Sequence, residues 1–225
     1  MILKMRKKVR KYKPPKVGGF FWRLFSMFIA FEGIDGSGKS TQLVLLEKYL
    51  INRGKKVIKV REPGGTILGE KIRDLLLNFN MNKRSELLLF LASRAQLVEE
   101  VIRPSIEKGY FVLADRFSDS SIAYQGGARN LGKDLVEKLN IFATNGIFPD
   151  IVFFIDIPVQ MAVRRMKEKE KDRIEKEGED FLEKVRTTYL HIAKSRKNFF
   201  VIDGTKDVDY VFSQIKRIID TMLDH

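Results

Sequence analysis

The sequence predicts an α/β fold: a five-stranded parallel sheet flanked by helices, with a charged mobile lid. Two observations predict it. Five near-continuous apolar runs alternate with segments of helical periodicity, the pattern of parallel strands buried on both faces. A glycine-rich loop also stands between the first run and the first helix. Strand, loop and helix N-terminus in that order make an anion cradle. With 225 residues and 44% hydrophobic side chains, one domain has ample material for a core.

The elements follow in order. Residues 28–31 (Phe-Ile-Ala-Phe) read as the first strand. Residues 41–50 read as a helix with Leu43, Leu46 and Leu50 on one face, capped by Gly54. Residues 56–60 form the second strand. Thr66 N-caps a helix that runs through Leu77, with Glu70 near its start. Ser85 begins a long helix reaching about Lys108, and Pro104 inside it should kink or split it. Residues 110–114 are the third strand, ending at Asp115. Residues 132–144 are helical, 151–156 are the fourth strand and 198–203 the fifth. Val208, Val211, Ile215, Ile219 and Met222 recur at helical spacing in the last helix. In such a sheet, ligands gather beyond the strands' carboxyl ends. The glycine loop, Arg61, Asp115 and Asp156 all fall there.

That loop reads Gly33-Ile34-Asp35-Gly36-Ser37-Gly38-Lys39-Ser40 and matches G-x-x-x-x-G-K-[ST], the P-loop. Its N–H groups, with Thr41 behind them, would cradle the phosphates of ATP. Lys39 would reach the β- and γ-phosphates, and the Ser40 hydroxyl would ligate Mg²⁺. Asp115 is the second candidate metal ligand. The expected fold is therefore a P-loop NTPase fold. The motif names a nucleoside triphosphate but no reaction.

Composition removes several alternatives. There is no cysteine, so disulfides and thiolate metal sites are excluded. His191 and His225 leave little for an imidazole metal site or a Ser-His triad. No apolar run is long enough for a transmembrane segment, and a cytoplasmic protein is expected. Of the net charge of +13, nine positive charges and no negative one lie in residues 1–26, which leaves +4 for residues 27–225. The basic character therefore belongs to an N-terminal extension, and no nucleic-acid partner is expected for the remainder. That extension, 1–26, is expected to be disordered or dispensable, the competing reading being a tether to membrane or nucleic acid. Residues 27–225 are expected to form the P-loop domain. Within it, residues 164–180 are almost wholly charged. Beside a P-loop, such a segment can close over ATP and carry arginines to the transferring phosphate.

Arg61-Glu62-Pro63-Gly64-Gly65-Thr66 and Asp115-Arg116-Phe117 each bring an arginine to the sheet rim, where guanidinium groups grip phosphate. With these, Phe31–Gln42, Leu89-Phe90-Leu91-Ala92-Ser93-Arg94-Ala95-Gln96, Ala123-Tyr124-Gln125-Gly126-Gly127 and Asp172-Arg173-Ile174-Glu175, the chain resembles the thymidylate kinases from about Met27 onward. The resemblance implies transfer of the γ-phosphate of ATP to dTMP, with Mg²⁺, in a homodimer. It implies that Asp35 meets the sugar 3′-hydroxyl, that Arg61 and Arg116 hold the acceptor phosphate, and that Phe90 stacks on thymine. Arg94 would bond the base's carbonyl edge, Ser121 and Gln125 would lie beside the base, and Tyr124 would sit under the deoxyribose. Gly36 in the P-loop and Arg173 in the charged segment resemble the type in which the lid supplies the catalytic arginine. Adenine is expected near Arg164 or Arg165 and the loop after Asp203.

Overall fold

The computed structural model describes residues 26–166, 173 and 177–224. The extension expected at 1–26 lies outside the described residues except for Ser26, as do 167–172 and 174–176 of the charged segment.

Five strands, β1 (Met27–Glu32), β2 (Val57–Arg61), β3 (Phe111–Asp115), β4 (Ile151–Asp156) and β5 (Phe199–Asp203), form one parallel sheet in the order β2-β3-β1-β4-β5. Side chains alternate across it. Phe28, Ala30, Val112, Ala114, Val152 and Phe154 enter one core, and Ile29, Phe31, Leu113, Phe153 and Ile155 enter the other. Both faces are covered, which is why the strands read as unbroken apolar runs. The second core is completed by α1 (Lys39–Asn52) and α9 (Val208–Leu223) through Leu43, Leu46, Leu50, Val211, Ile215 and Ile219. Leu46 is fully buried, so Leu46→Ala would cost about 2–5 kcal/mol. As expected, Gly54 follows α1 with φ 73° and donates to Ile51, and Thr66 caps α2 (Ile67–Asn78) by accepting from Gly69.

The other face carries α3 (Lys83–Leu97), α6 (Lys133–Thr144), α7 (Val159–Met166) and α8 (Glu179–Ser195). The long helix expected around Pro104 is divided into three segments. α3 passes into a π-helical segment, Val98–Ile102, and then into α4 (Arg103–Glu107), whose first turn holds Pro104. The wider turn comes just where the proline ring would crowd a carbonyl four residues back, and where an amide hydrogen is missing. A second π-helical segment, Ile122–Ala128, follows the short α5 (Ser118–Ser121).

Of the segment expected to form the charged lid, Arg164 and Arg165 belong to α7, and Glu179 and Asp180 open α8. α8 buries the stripe Phe181, Leu182, Val185, Tyr189 and Ile192. Strand register sets the rim: Arg61 and Phe31 both stand opposite Asp115, and Asp156 opposite Asp203.

Candidate active site

The P-loop curls through Gly33, Gly36 and Gly38, all at positive φ. At Gly36 (φ 79°) a Cβ would also lie 2.9 Å from the Ala162 carbonyl oxygen in α7. α1 starts at Lys39 with no side-chain cap, so first-turn N–H groups remain for an anion. Ser40 and Thr41 are exposed there, and the buried Ser37 hydroxyl has no protein partner. Lys39 is buried. Its ammonium donates to the Ile34 carbonyl at 3.1 Å and lies 3.8 Å from Asp35. Burial, then the nearby charge of Arg116, push its pKa below 10.5, a penalty that phosphate charge would offset. The Ser40 hydroxyl donates to Asp115 Oδ2 at 2.6 Å. A hydroxyl beside a carboxylate suits Mg²⁺, which keeps waters and phosphate oxygens as its other ligands. Among the described residues no cluster of three or more His, Asp or Glu forms an all-protein cage. Arg165 spans the Gly36 carbonyl at 3.1 Å and the Gly204 carbonyl at 3.4 Å, so it lies between the P-loop and the loop after β5.

Arg116 forms the opposite wall. Its backbone is left-handed (φ 69°), which places the guanidinium against the P-loop. Nη1 donates to the Gly33 carbonyl at 2.8 Å, and Nη2 donates to Asp35 Oδ1 at 2.6 Å and to the Tyr124 hydroxyl at 3.2 Å. Burial raises the Asp35 pKa, but the charges of Arg116 and Lys39 outweigh it and hold the carboxyl at about 2. Beneath lies Glu32, wholly buried. It accepts from the amides of Phe117 and Ser120 and from the hydroxyls of Ser120 and Tyr189. Burial and then the charge of Asp119 push its pKa to about 7 against those donors.

Asp35, Phe90, Arg116, Ser121, Tyr124 and Gln125 line one cavity of about 110 Å³. Arg73 and Leu77 of α2 line it too. A larger open groove of about 620 Å³ between Gly126 and α8 holds no P-loop residue and is not the site.

Three predicted arginines stand elsewhere. Arg61 is 55% exposed, pairs with Glu70 at 2.9 Å, and is absent from the cavity lining. Arg94 is 1% exposed and spends all five N–H donors on protein: on Glu62, Ser121, Asn140 and the Phe117 carbonyl. A buried guanidinium must be satisfied this way in the ligand-free protein. Arg173 donates to the Leu76 carbonyl at 3.0 Å and pairs with Glu86 at 2.7 Å; neither partner is on the P-loop.

The family model described as thymidylate kinase matches residues 31–215. The chain belongs to the thymidylate kinase family. It is similar to the thymidylate kinase of Thermosipho africanus, 69% identical over 199 residues, 88% of this chain and 99% of that protein. The enzyme of Fervidobacterium nodosum is 57% identical over 197 residues, 88% of this chain and the whole of that protein. A crystal structure of thymidylate kinase from Ehrlichia chaffeensis, 34% identical, superposes with a TM-score of 0.73 and covers 86% of this chain and 98% of that one.

Sequence reasoning singled out neither Arg73, which lines the cavity, nor the buried Glu86 and Tyr189, and gave Glu32 no role of its own. Arg73 lies three residues after Glu70, on the α2 turn above Pro63, whose carbonyl it bonds at 3.0 Å. Tyr189 was legible as part of the apolar stripe of α8. Glu86 carried no signal beyond an acidic first turn.

Proposed function

We infer that this chain transfers the γ-phosphate of ATP to dTMP, giving dTDP and ADP. One observation carries the reading: the P-loop and the cavity share a wall. Asp35 and Arg116 line the cavity, and both also touch P-loop groups. An acceptor in the cavity is therefore held next to the phosphates of a donor on the P-loop.

An oxygen of the dTMP phosphate attacks the γ-phosphorus. The bond to the β–γ bridging oxygen breaks, and ADP leaves with the electron pair. The acceptor phosphate is already ionised, so no general base is needed. Lys39 and Arg116 supply fixed positive charge to the moving phosphoryl group. Arg173 is proposed as the lid arginine that joins them, which requires it to leave Glu86. Mg²⁺, held through Ser40 and Asp115, would neutralise phosphate charge. Arg73 stands beside Arg116 as a holder of the acceptor phosphate, in the role first expected of Arg61. Phe90 stacks on thymine, Tyr124 packs under the sugar, and Asp35 takes the 3′-hydroxyl. Arg94 acts from behind, by fixing Ser121 beside the base. Arg165 flanks adenine.

We also propose a homodimer in the cytoplasm. No described helix is long and apolar enough to cross a membrane. α2 packs on α3, and α3 on α6. These adjacent helices expose Ile67, Leu75, Leu88, Leu135 and Phe142, the last 87% exposed. A second copy of the same face would cover them.

The test is ADP release from ATP with each nucleoside monophosphate in turn. dTMP should be best, dUMP weaker and ribonucleotides poor. Equal or better turnover of CMP, UMP or AMP would sink the assignment.

A further inference from the structure

Glu86 is buried in the first turn of α3, outside the catalytic set, yet three hydrogen bonds and an ion pair converge on it. Gln125 Nε2 donates to it at 2.9 Å, Arg129 donates through Nε and Nη2, and Arg173 pairs with it. Burial alone would raise its pKa, but the bonds from Gln125, Arg129 and Arg173 outweigh burial and lower it. Glu86 is thus an anion, able only to accept.

That constrains Gln125. A side-chain amide has a donor end and an acceptor end. Turning Oε1 toward an ionised carboxylate sets two acceptors against each other, whereas turning Nε2 toward it makes a charge-assisted bond. Gln125 lines the cavity, and among the described residues no protein group bonds its Oε1. We propose that Glu86 is a specificity-determining positioning residue: by holding the Gln125 amide nitrogen, it presents Oε1 to the base and so selects an imide N–H. Thymine and uracil carry a hydrogen at N3. Cytosine has a lone pair there and would face a second acceptor across a buried contact. Glu86 rejects cytosine without touching it. Ser121 does not supply this selection, because its hydroxyl can donate or accept.

The inference rests on dTMP being the acceptor, and the experiment separates the two claims. kcat/KM for dTMP, dUMP and dCMP is measured for the full chain, Glu86→Gln, Gln125→Leu and the double variant. In Glu86→Gln, residue 86 can offer Gln125 either end of an amide, so Gln125 is free to turn. The dTMP-to-dCMP ratio should fall by about tenfold, the worth of one hydrogen bond. In the Gln125→Leu background the same change should leave the ratio unaltered. Releasing Arg173 would change turnover of all three acceptors together and leave the ratio alone. An unchanged ratio in Glu86→Gln overturns the proposal, and so does an equal fall with Leu at position 125. Failure of the wild type to use dTMP would instead overturn the assigned reaction. Should Glu86→Gln not fold, binding of N3-methyl-dTMP to wild type decides. Affinity equal to that of dTMP overturns the proposal, and a loss of tenfold or more upholds it.

Discussion

Asp35 stands between two cations, Lys39 from the P-loop and Arg116 from the end of β3, and is held ionised by both. Residues that touch the cavity from behind are no less specified. Arg94 and Glu62 form a buried pair at 1% and 3% exposure. Arg94→Ala should therefore destabilise the ligand-free protein by about 3–5 kcal/mol, because a buried carboxylate loses its counter-charge. Denaturant unfolding without dTMP measures this, and a loss below about 1 kcal/mol would mean the pair is no brace. Glu32 gives a pH signature. Its pKa rises from 4.5 unfolded to about 7 folded. A raised carboxyl pKa contributes stability that is fully present below 4.5 and lost as pH climbs to about 7. Glu32→Gln has no proton to lose, so its melting temperature should fall less than that of wild type over that window. Parallel curves would refute the raised pKa.

The P-loop and the charged segment after α7 each carry one cation proposed for the reaction, Lys39 and Arg173. The P-loop holds Lys39 in place before any nucleotide arrives. Arg173 lies on Glu86 and Leu76 instead. Lys39→Ala and Arg173→Ala should each lower kcat by about two to three orders of magnitude, as for loss of one stabiliser of transition-state charge. Only Lys39→Ala should also weaken ATP, since that lysine meets phosphate in the ground state. Steady-state kinetics with nucleotide titration tests both. Wild-type kcat in Arg173→Ala would move the lid role to Arg164 or Arg165.

Among the described residues, α2, α3 and α6 expose Ile67, Leu75, Leu88, Leu135 and Phe142. Phe142→Glu should shift the protein toward monomer in sedimentation equilibrium, with its melting temperature falling as well. A variant as dimeric as wild type, or a monomeric wild type, would remove this face as the interface. A chain starting at Met27 should fold and keep its activity, because β1 starts there. Insolubility or lost turnover of that truncation would make residues 1–26 part of the fold. Binding of the full-length form alone to anionic vesicles would make them a tether.

The sequence by itself determined the five strands, the P-loop and the rim positions of Arg61, Asp115 and Asp156. Each of these is local: apolar runs mark strands buried on both faces, and glycine spacing marks a phosphate turn. Pro104 was legible as a disturbance, but not as a change of helical register that keeps the chain helical. α8 was hidden because its first turn continues the charged run, although its apolar stripe was there to be read. Only the tertiary structure decided which partner each arginine takes. Arg61, Arg73, Arg94 and Arg173 look alike along the chain. Arg94 is sealed by a glutamate 32 residues away and an asparagine 46 away, and Arg73 rather than Arg61 lines the cavity. A guanidinium takes whichever carboxylate the packing brings to it, and which one that is depends on helix crossings that no local pattern encodes.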